Sequence, residues 1–217
     1  MLVPTHWQNL RPIHIDHARE FLLAAKTCRE DSQNGGESAF HSPSLFLTAH
    51  ALELTLKAIS LWAGNCECQL RDDGHKLLGP FNRAKSTVKS RAIIECAETC
   101  VRNEWKSKLR NDRLEYHARF DGFLEVDSPS NSDIGQQLPT LLQAVAWMDP
   151  LHAPDGGAFR YVQINQFYSV PVVNCFGKTT FIVPKTLAWA CHSILDSLEG
   201  ELRRKSKIPQ LSAASVR

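Results

Sequence analysis

Apolar side chains recur every three or four residues along most of the chain, which is the spacing of one face of an α-helix. Ile15, Ala18 and Leu22 belong to the first such run, which predicts a helix at about 14–31 that Gly35 and Gly36 help to stop. The same pattern, read together with proline, glycine and capping residues, predicts further helices. They lie at about 42–64, 76–85, 87–109, 134–148 and from 184 to about 204.

The pattern changes between 158 and 183, where β-branched residues are frequent and part of the segment alternates between apolar and polar positions. This segment predicts a small β-hairpin. The segment 65–74 is expected to be a loop, and Pro129 marks a polar linker. The predicted fold class is therefore mainly α: an up-and-down helical bundle with a small β-hairpin insert before the C-terminal helix. One domain is expected over 1–205, followed by a basic, disordered tail at 206–217.

The helix predicted at 42–64 is apolar on nearly every side, so it is expected to be central and contacted from several directions. Its one polar stripe carries His50, Glu53 and Lys57, and Lys57 is expected to neutralise a partly buried Glu53 from one turn away. Together with His75, these residues are predicted to form a structural polar cluster. His75 is interpreted as part of a capping turn whose imidazole bonds backbone. A pocket that binds a small ligand near these side chains is the alternative.

No metal site and no cofactor are predicted. The motif His50-Ala-Leu-Glu53 has the opposite order to the Glu-x-x-His motif of di-iron bundles. The thiols of Cys66-Glu-Cys68, like the pair Cys96 and Cys100, lack a second pair at zinc-ligand spacing. All seven cysteines are expected to be reduced thiols, because a chain of this length folds without crosslinks.

Composition excludes a wholly disordered chain, since 43% of the 217 residues are hydrophobic and 22% are charged. No apolar run approaches the roughly 20 residues that span a bilayer, and residues 1–11 lack the pattern of a secretory signal. A cytoplasmic protein without a membrane partner is therefore expected.

Charge is unevenly distributed, although the formal net charge is only +2. Residues 71–91 hold six basic residues and two acids, 121–155 hold six acids and no lysine or arginine, and the tail is basic again. Either these segments are solvated faces, or a basic surface contacts a polyanion such as RNA. The candidate RNA-binding residues are Lys76, Arg83, Lys85, Lys89 and Arg113.

Two common enzyme classes are excluded by missing motifs: the chain has no phosphate-binding P-loop and no Gly-x-Ser-x-Gly of serine hydrolases. The segment Arg110-Asn111 followed by His117 offers other chemistry. Metal-independent RNA cleavage needs a group that takes the 2′-hydroxyl proton and a cation that stabilises the charge developing at phosphorus. Histidine and arginine suit these two tasks. Arg113 or Arg160 could instead supply the arginine. The alternative to a catalytic role is an arginine-rich helix end whose histidine lies near the C-terminal dipole.

Three stretches together resemble the HEPN superfamily of prokaryotic helical domains. Residues Glu53-Leu54-Thr55-Leu56-Lys57-Ala58, within the apolar run 46–58, are similar to the Glu-Leu-x-Leu-Lys-Ala of that family. The turn Gly74-His75-Lys76-Leu77 resembles its Gly-His-x-Leu, and Arg110-Asn111 with His117 fits its Arg-x(4–6)-His pattern.

The resemblance implies a HEPN-like homodimer with a composite ribonuclease site. In that site Arg110 would be the phosphate-binding cation, Asn111 a polar positioning residue and His117 the acid–base group. The chain would then be a metal-independent endoribonuclease, as in a toxin or phage-defence effector that a cognate antitoxin or other partner protein keeps silent. The alternative that the family offers is a non-catalytic dimeric module that binds RNA or a partner protein.

Overall fold

A computed structural model describes residues 12–35, 41–120, 138–152, 172–175 and 178–207. These residues form a mainly α helical bundle, which confirms the predicted class. A π-helical turn at Pro12–Asp16 leads into the first helix. The described helices are α1 (His17–Gly35), α2 (His41–Ala63), α3 (Glu67–Asp73), α4 (Leu78–Ser86), α5 (Val88–Phe120), α6 (Leu141–His152) and α7 (Ile182–Lys207). Two strands precede α7, β1 (Val172–Cys175) and β2 (Lys178–Phe181).

Helix α2 is the centre of the bundle, as its apolar surface predicts. It packs most extensively against α1 and α7, and it also touches α4, α5 and α6. Leu52, Leu56 and Ile59 are fully buried along it, and each such side chain contributes about 2 kcal/mol of hydrophobic stabilisation. Small residues such as Ala49 and Ala51 are completely buried as well, which permits close approach of the neighbouring helices. Gly64 ends the helix with φ +102°, a conformation that favours glycine.

Helix α7 forms the opposite side of the core with α5. The buried indole of Trp105 donates a hydrogen bond from Nε1 to Thr186 Oγ1 at 3.0 Å, so its one polar atom is satisfied. The Trp105 ring also meets the edge of Trp189, with ring centroids 5.0 Å apart. This contact fixes the middle of α5 against the first turns of α7.

The predicted hairpin is present, at the end of the segment in which it was expected. Strands β1 and β2 pair antiparallel, from Val172 opposite Phe181 to Cys175 opposite Lys178. The chain passes from Phe181 directly into α7, so α7 begins before Pro184 and not after it. Proline lacks an N–H group, and the first turn of a helix needs no bond from that group.

Three predicted boundaries are wrong. The expected loop at 65–74 contains helix α3, whose Leu70 is buried and holds it against the bundle. Helix α5 continues eleven residues past Leu109, because no proline or glycine interrupts the sequence before Gly122. Helix α6 continues through Pro150 to His152 instead of ending at Met148.

The prolongation of α6 has a tertiary cause. Asp149 Oδ1 accepts hydrogen bonds from the backbone N–H groups of Leu77 at 2.5 Å and Leu78 at 2.9 Å. These bonds satisfy free donors at the start of α4 and hold the last turn of α6 against it. The proline costs only one intrahelical bond at a helix end that is already fixed.

One described helix segment, Pro43–Ala63, is long and apolar enough to cross a membrane, with a mean hydropathy of 1.2. In the bundle 67% of that window is buried, and a buried core helix passes the same test. The sequence-based statement that no run approaches this length was therefore too strict.

The expectation that every cysteine is reduced is also wrong, because Cys66 and Cys68 are joined by a disulfide just before and within α3. Cys28, Cys96, Cys100 and Cys191 are free thiols.

Several predictions concern residues outside the described ranges. They are the linker around Pro129, the first part of the predicted helix at 134–148, the β-rich residues 158–171 with Arg160, and the tail beyond Lys207. They stay predictions.

Candidate functional site

The carboxylate of Glu53 lies at the centre of a buried polar cluster. Its side chain is only 3% exposed, although Glu53 belongs to the polar stripe of α2. One oxygen, Oε1, accepts a hydrogen bond from Lys57 Nζ at 2.5 Å, one helical turn away. The other, Oε2, lies 2.7 Å from His152 Nε2 and 3.0 Å from His75 Nδ1. The predicted partner Lys57 is therefore confirmed, and two imidazoles from distant segments join it.

His75 and His152 reach Glu53 from two different places in the chain. His75 follows Gly74, whose φ of +56° turns the chain between α3 and α4. Its imidazole bonds the Glu53 carboxylate, so the predicted bond from this ring to backbone is wrong. His152 is the last residue of α6 and is 1% exposed. Sequence reasoning missed it because the helix was expected to end four residues earlier.

His50 completes the cluster from the preceding turn of α2. Its Nδ1 lies 3.4 Å from Glu53 Oε2, but the angle does not allow a hydrogen bond, and no described residue offers another partner to this buried nitrogen. The ring is held by aromatic neighbours. Phe21 meets it edge-on with centroids 4.5 Å apart, and Phe46 lies parallel to it at 6.1 Å.

The electrostatics of the cluster keep Glu53 ionised. Burial alone would raise the pKa of the Glu53 carboxyl, but the contacts with His152, His50, His75 and Lys57 lower it far below its usual range. The carboxylate and the Lys57 ammonium then balance each other, because one is an anion and the other a cation. The imidazoles are not needed for charge balance.

A cavity of about 410 Å³ opens beside the cluster. Lys57, Gly74 and His75 line it, together with His14 from the N-terminal turn and Arg71 from α3. Burial, followed by the nearby Lys57 and His17 charges, lowers the pKa of His14. The cluster is thus closed at His152 and accessible at His75. The small-ligand pocket that the sequence left as an alternative stays a prediction.

The predicted catalytic residues lie on α5, and none of the contacts described above joins them to the Glu53 cluster. Arg110 and Asn111 are exposed. His117 belongs to the same helix, but its side chain lies outside the description. His117 lies seven positions after Arg110, with six residues between them, which puts both on one side of the helix, about 10.5 Å apart along the axis. The segment is therefore an integral part of α5 and does not follow a helix end.

An exposed basic stripe runs along α5 and was missed at the sequence level. Its residues are spaced by four, four and three positions, so they lie within a narrow sector of the helix. They are Arg102, Lys106, Arg110 and Arg113, all exposed. His117 occupies the next position, four residues on. The three- and four-residue spacing of these basic residues could have predicted the stripe. The spacing places them on one face only if the helix continues past Leu109, and the predicted helix ended there.

Two of the predicted RNA-binding residues are held in ion pairs. Arg83 donates two hydrogen bonds to Asp73, at 2.6 and 2.8 Å, and Lys85 donates one to Glu98 at 2.6 Å. In the Arg83 pair, both oxygens of the carboxylate are engaged by the planar guanidinium. These contacts brace α4 against α3 and α5.

The other three predicted RNA-binding residues are differently placed. Lys89 donates to the carbonyl oxygen of Trp62 and also lies over the Trp62 ring, with Nζ 4.6 Å from its centroid. Lys76 and Arg113 are exposed. Of the five candidates, Arg113 alone is part of the α5 stripe.

A second cavity, of about 620 Å³, adjoins this stripe. Arg102 and Lys106 line its edge, and Trp105, Leu109 and Leu141 contribute apolar surface. It lies between α5 and the residues that lead into α6.

No protein-family model, no curated protein and no solved structure matches the chain.

Proposed function

We propose that the chain is a metal-independent endoribonuclease of the HEPN type that acts as a homodimer. The observation that carries the proposal is the α5 basic stripe, which leads along one exposed side of the helix to His117. Arg102, Lys106 and Arg110 have no ion-pair partner among the described residues. Cations without a partner in the described part of the chain are available to the phosphates of RNA.

The stripe has the dimensions of a short stretch of RNA. His117 lies fifteen positions after Arg102, which corresponds to about 22 Å along the helix axis. Several consecutive phosphates can therefore contact the stripe at once, and binding should depend steeply on salt.

The chemistry requires one general base and one fixed cation near the same phosphate. His117 would take the proton of a 2′-hydroxyl, and the Arg110 guanidinium would bind the phosphate oxygens as negative charge develops on them. The 2′-oxygen would bond to phosphorus as the P–O5′ bond breaks, so the upstream fragment would end in a 2′,3′-cyclic phosphate and the departing 5′-oxygen would take a proton from water. Asn111 would position the substrate through its amide.

The proposed homodimer would assemble the site from two chains. Arg110 and His117 of one chain lie about 10.5 Å apart along the axis, so the arginine side chain would have to span much of that distance to share a phosphate with His117 of the same chain. Two α5 helices that cross in a symmetric dimer would bring the arginine of one protomer near the histidine of the other. A toxin or phage-defence effector controlled by an antitoxin would be one biological setting for such an activity.

The decisive experiment is cleavage of a mixed RNA pool by the purified protein in excess EDTA. We expect products with 2′,3′-cyclic phosphate ends from the wild type, and no cleavage by His117→Ala or Arg110→Ala. His192→Ala and Arg204→Ala are matched controls, because both residues are exposed on α7. Far-UV circular dichroism in the same buffer checks that the fold persists.

Two results would contradict the assignment. Cleavage by His117→Ala at the wild-type rate would exclude the proposed base. A folded wild type that binds RNA without cutting it would favour the other proposal, a non-catalytic dimeric module for RNA or a partner protein. In that case Arg102→Ala and Lys106→Ala should each lower the slope of log affinity against log salt by about one.

A further inference from the structure

We propose that the Glu53 cluster is a binding site for one zinc-like transition-metal dication, with His50 Nδ1, Glu53 Oε2 and His152 Nε2 as its protein ligands. These three ligand atoms lie within 4.8 Å of one another. They come from two neighbouring turns of α2 and from the end of α6. The site lies apart from the residues proposed for RNA cleavage and goes beyond that function.

The first argument is that the cluster has more nitrogen donors than the carboxylate needs. Lys57 already balances the charge of Glu53 through Oε1. Three imidazole nitrogens nevertheless face the other oxygen, at 2.7, 3.0 and 3.4 Å. One carboxylate oxygen offers about two lone-pair directions, and His50 Nδ1 is left without a hydrogen bond. A metal ion bound between these side chains would accept the lone pairs of the imidazole nitrogens and of the carboxylate oxygen.

The second argument is geometric. In a tetrahedral zinc site with bonds of about 2.0–2.1 Å, ligand atoms are about 3.3–3.4 Å apart. The separation between His50 Nδ1 and Glu53 Oε2 is already 3.4 Å, and His152 Nε2 needs to move by about 0.6 Å from its present hydrogen bond. The two imidazole nitrogens lie within 4.8 Å of each other, so binding of the ion would also draw His50 and His152 together.

The third argument concerns access and metal type. His152 and Glu53 are buried, whereas His50 and His75 are partly exposed, and His75 lines the adjoining cavity. An ion can enter from that side, and water or His75 can occupy the fourth position. Two imidazoles and one carboxylate suit zinc, cobalt or nickel, while magnesium and calcium prefer oxygen ligands.

Titration of the full-length protein with Co²⁺, followed by visible spectroscopy, tests the proposal without any RNA. We expect one ion per chain, with the absorption bands of four-coordinate cobalt and no sulfur charge-transfer band. Competition with Zn²⁺ then gives the zinc affinity. The affinity should fall about tenfold or more in His50→Gln and in His152→Gln, and stay unchanged in His192→Gln, an exposed control on α7.

The partly exposed His50 keeps the test decisive if His152→Gln does not fold. Absence of saturable binding by the folded wild type would overturn the proposal, and so would unchanged affinity in His50→Gln. A sulfur-to-cobalt band that disappears in the double variant Cys96→Ser and Cys100→Ser would assign the ion to thiols on α5. That result would also overturn the proposal. Because ion binding and RNA cleavage are measured separately, either proposal can fail alone.

Discussion

Replacing Lys57 by methionine should destabilise the fold strongly, because it removes the only lysine that contacts the buried Glu53 carboxylate among the described residues. Methionine keeps the length and apolar stem of lysine and deletes only the charge. Removing one member of a buried ion pair costs about 3–5 kcal/mol. Lys57 is 22% exposed and two imidazoles still bond Glu53, so we expect a somewhat smaller loss of stability, about 2–4 kcal/mol.

The second variant in this test removes both charges. In Glu53→Gln with Lys57→Met no unpaired ion is left, so the double variant should lose less stability than Lys57→Met alone. The corresponding double-mutant cycle, completed by Glu53→Gln, should give a coupling of about 1–3 kcal/mol.

Urea unfolding at pH 8 in EDTA measures all four proteins without bound metal. With a slope of about 2–3 kcal/mol per molar urea, Lys57→Met should lower the midpoint by about 1 M. A loss below about 0.5 kcal/mol, or a cycle in which the two substitutions simply add, would refute the view that Lys57 neutralises Glu53 inside the protein.

Three further outcomes are expected. The pKa of Glu53 is lowered in the folded state, so the stability that its ionised form contributes is present above its ordinary pKa of 4.5 and is lost as the pH falls below that value. Acid should therefore destabilise the wild type more than the double variant Glu53→Gln with Lys57→Met. Urea midpoints from pH 6 to pH 3 measure this difference. Asp149→Ala should cost about 1–2 kcal/mol in the same assay, because two backbone N–H groups at the start of α4 lose their acceptor, and a loss below 0.3 kcal/mol would contradict this. Burial raises the pKa of Cys191 to about 12, so mass-spectrometric mapping after alkylation at pH 8 should find the exposed Cys96 modified in the folded protein and Cys191 modified only after unfolding.

The bundle could be predicted from the sequence because helix periodicity is a local signal. Each helix shows its apolar face within its own residues, and the buried positions Leu52, Leu56 and Ile59 of α2 follow from that spacing alone. The predicted helix boundaries were less accurate. The end of α6 depends on the contact of Asp149 with Leu77 and Leu78, which precede it by more than 70 positions in the chain. Nothing in the local sequence around Asp149-Pro150 indicates that contact.

The polar cluster was predictable only as far as it is local. Lys57 and Glu53 are one helical turn apart, so their contact follows from α2 itself. His75 was predicted to belong to the cluster, but with its imidazole bonded to backbone, and His152, 99 residues from Glu53, was missed. The basic stripe on α5 was not predicted for a different reason. The spacing of its residues was visible in the sequence, but the helix was expected to stop at Leu109.

One carboxylate outside the cluster connects its two distant members. Asp149 binds the backbone at Leu77, two residues after His75, while His152 follows Asp149 by three residues on α6. The same hydrogen bonds therefore fix the start of α4 and the end of α6 relative to each other. Both imidazoles reach Glu53 because these two backbone segments are joined, so the arrangement of the cluster is a property of the α4–α6 junction and not of α2 alone.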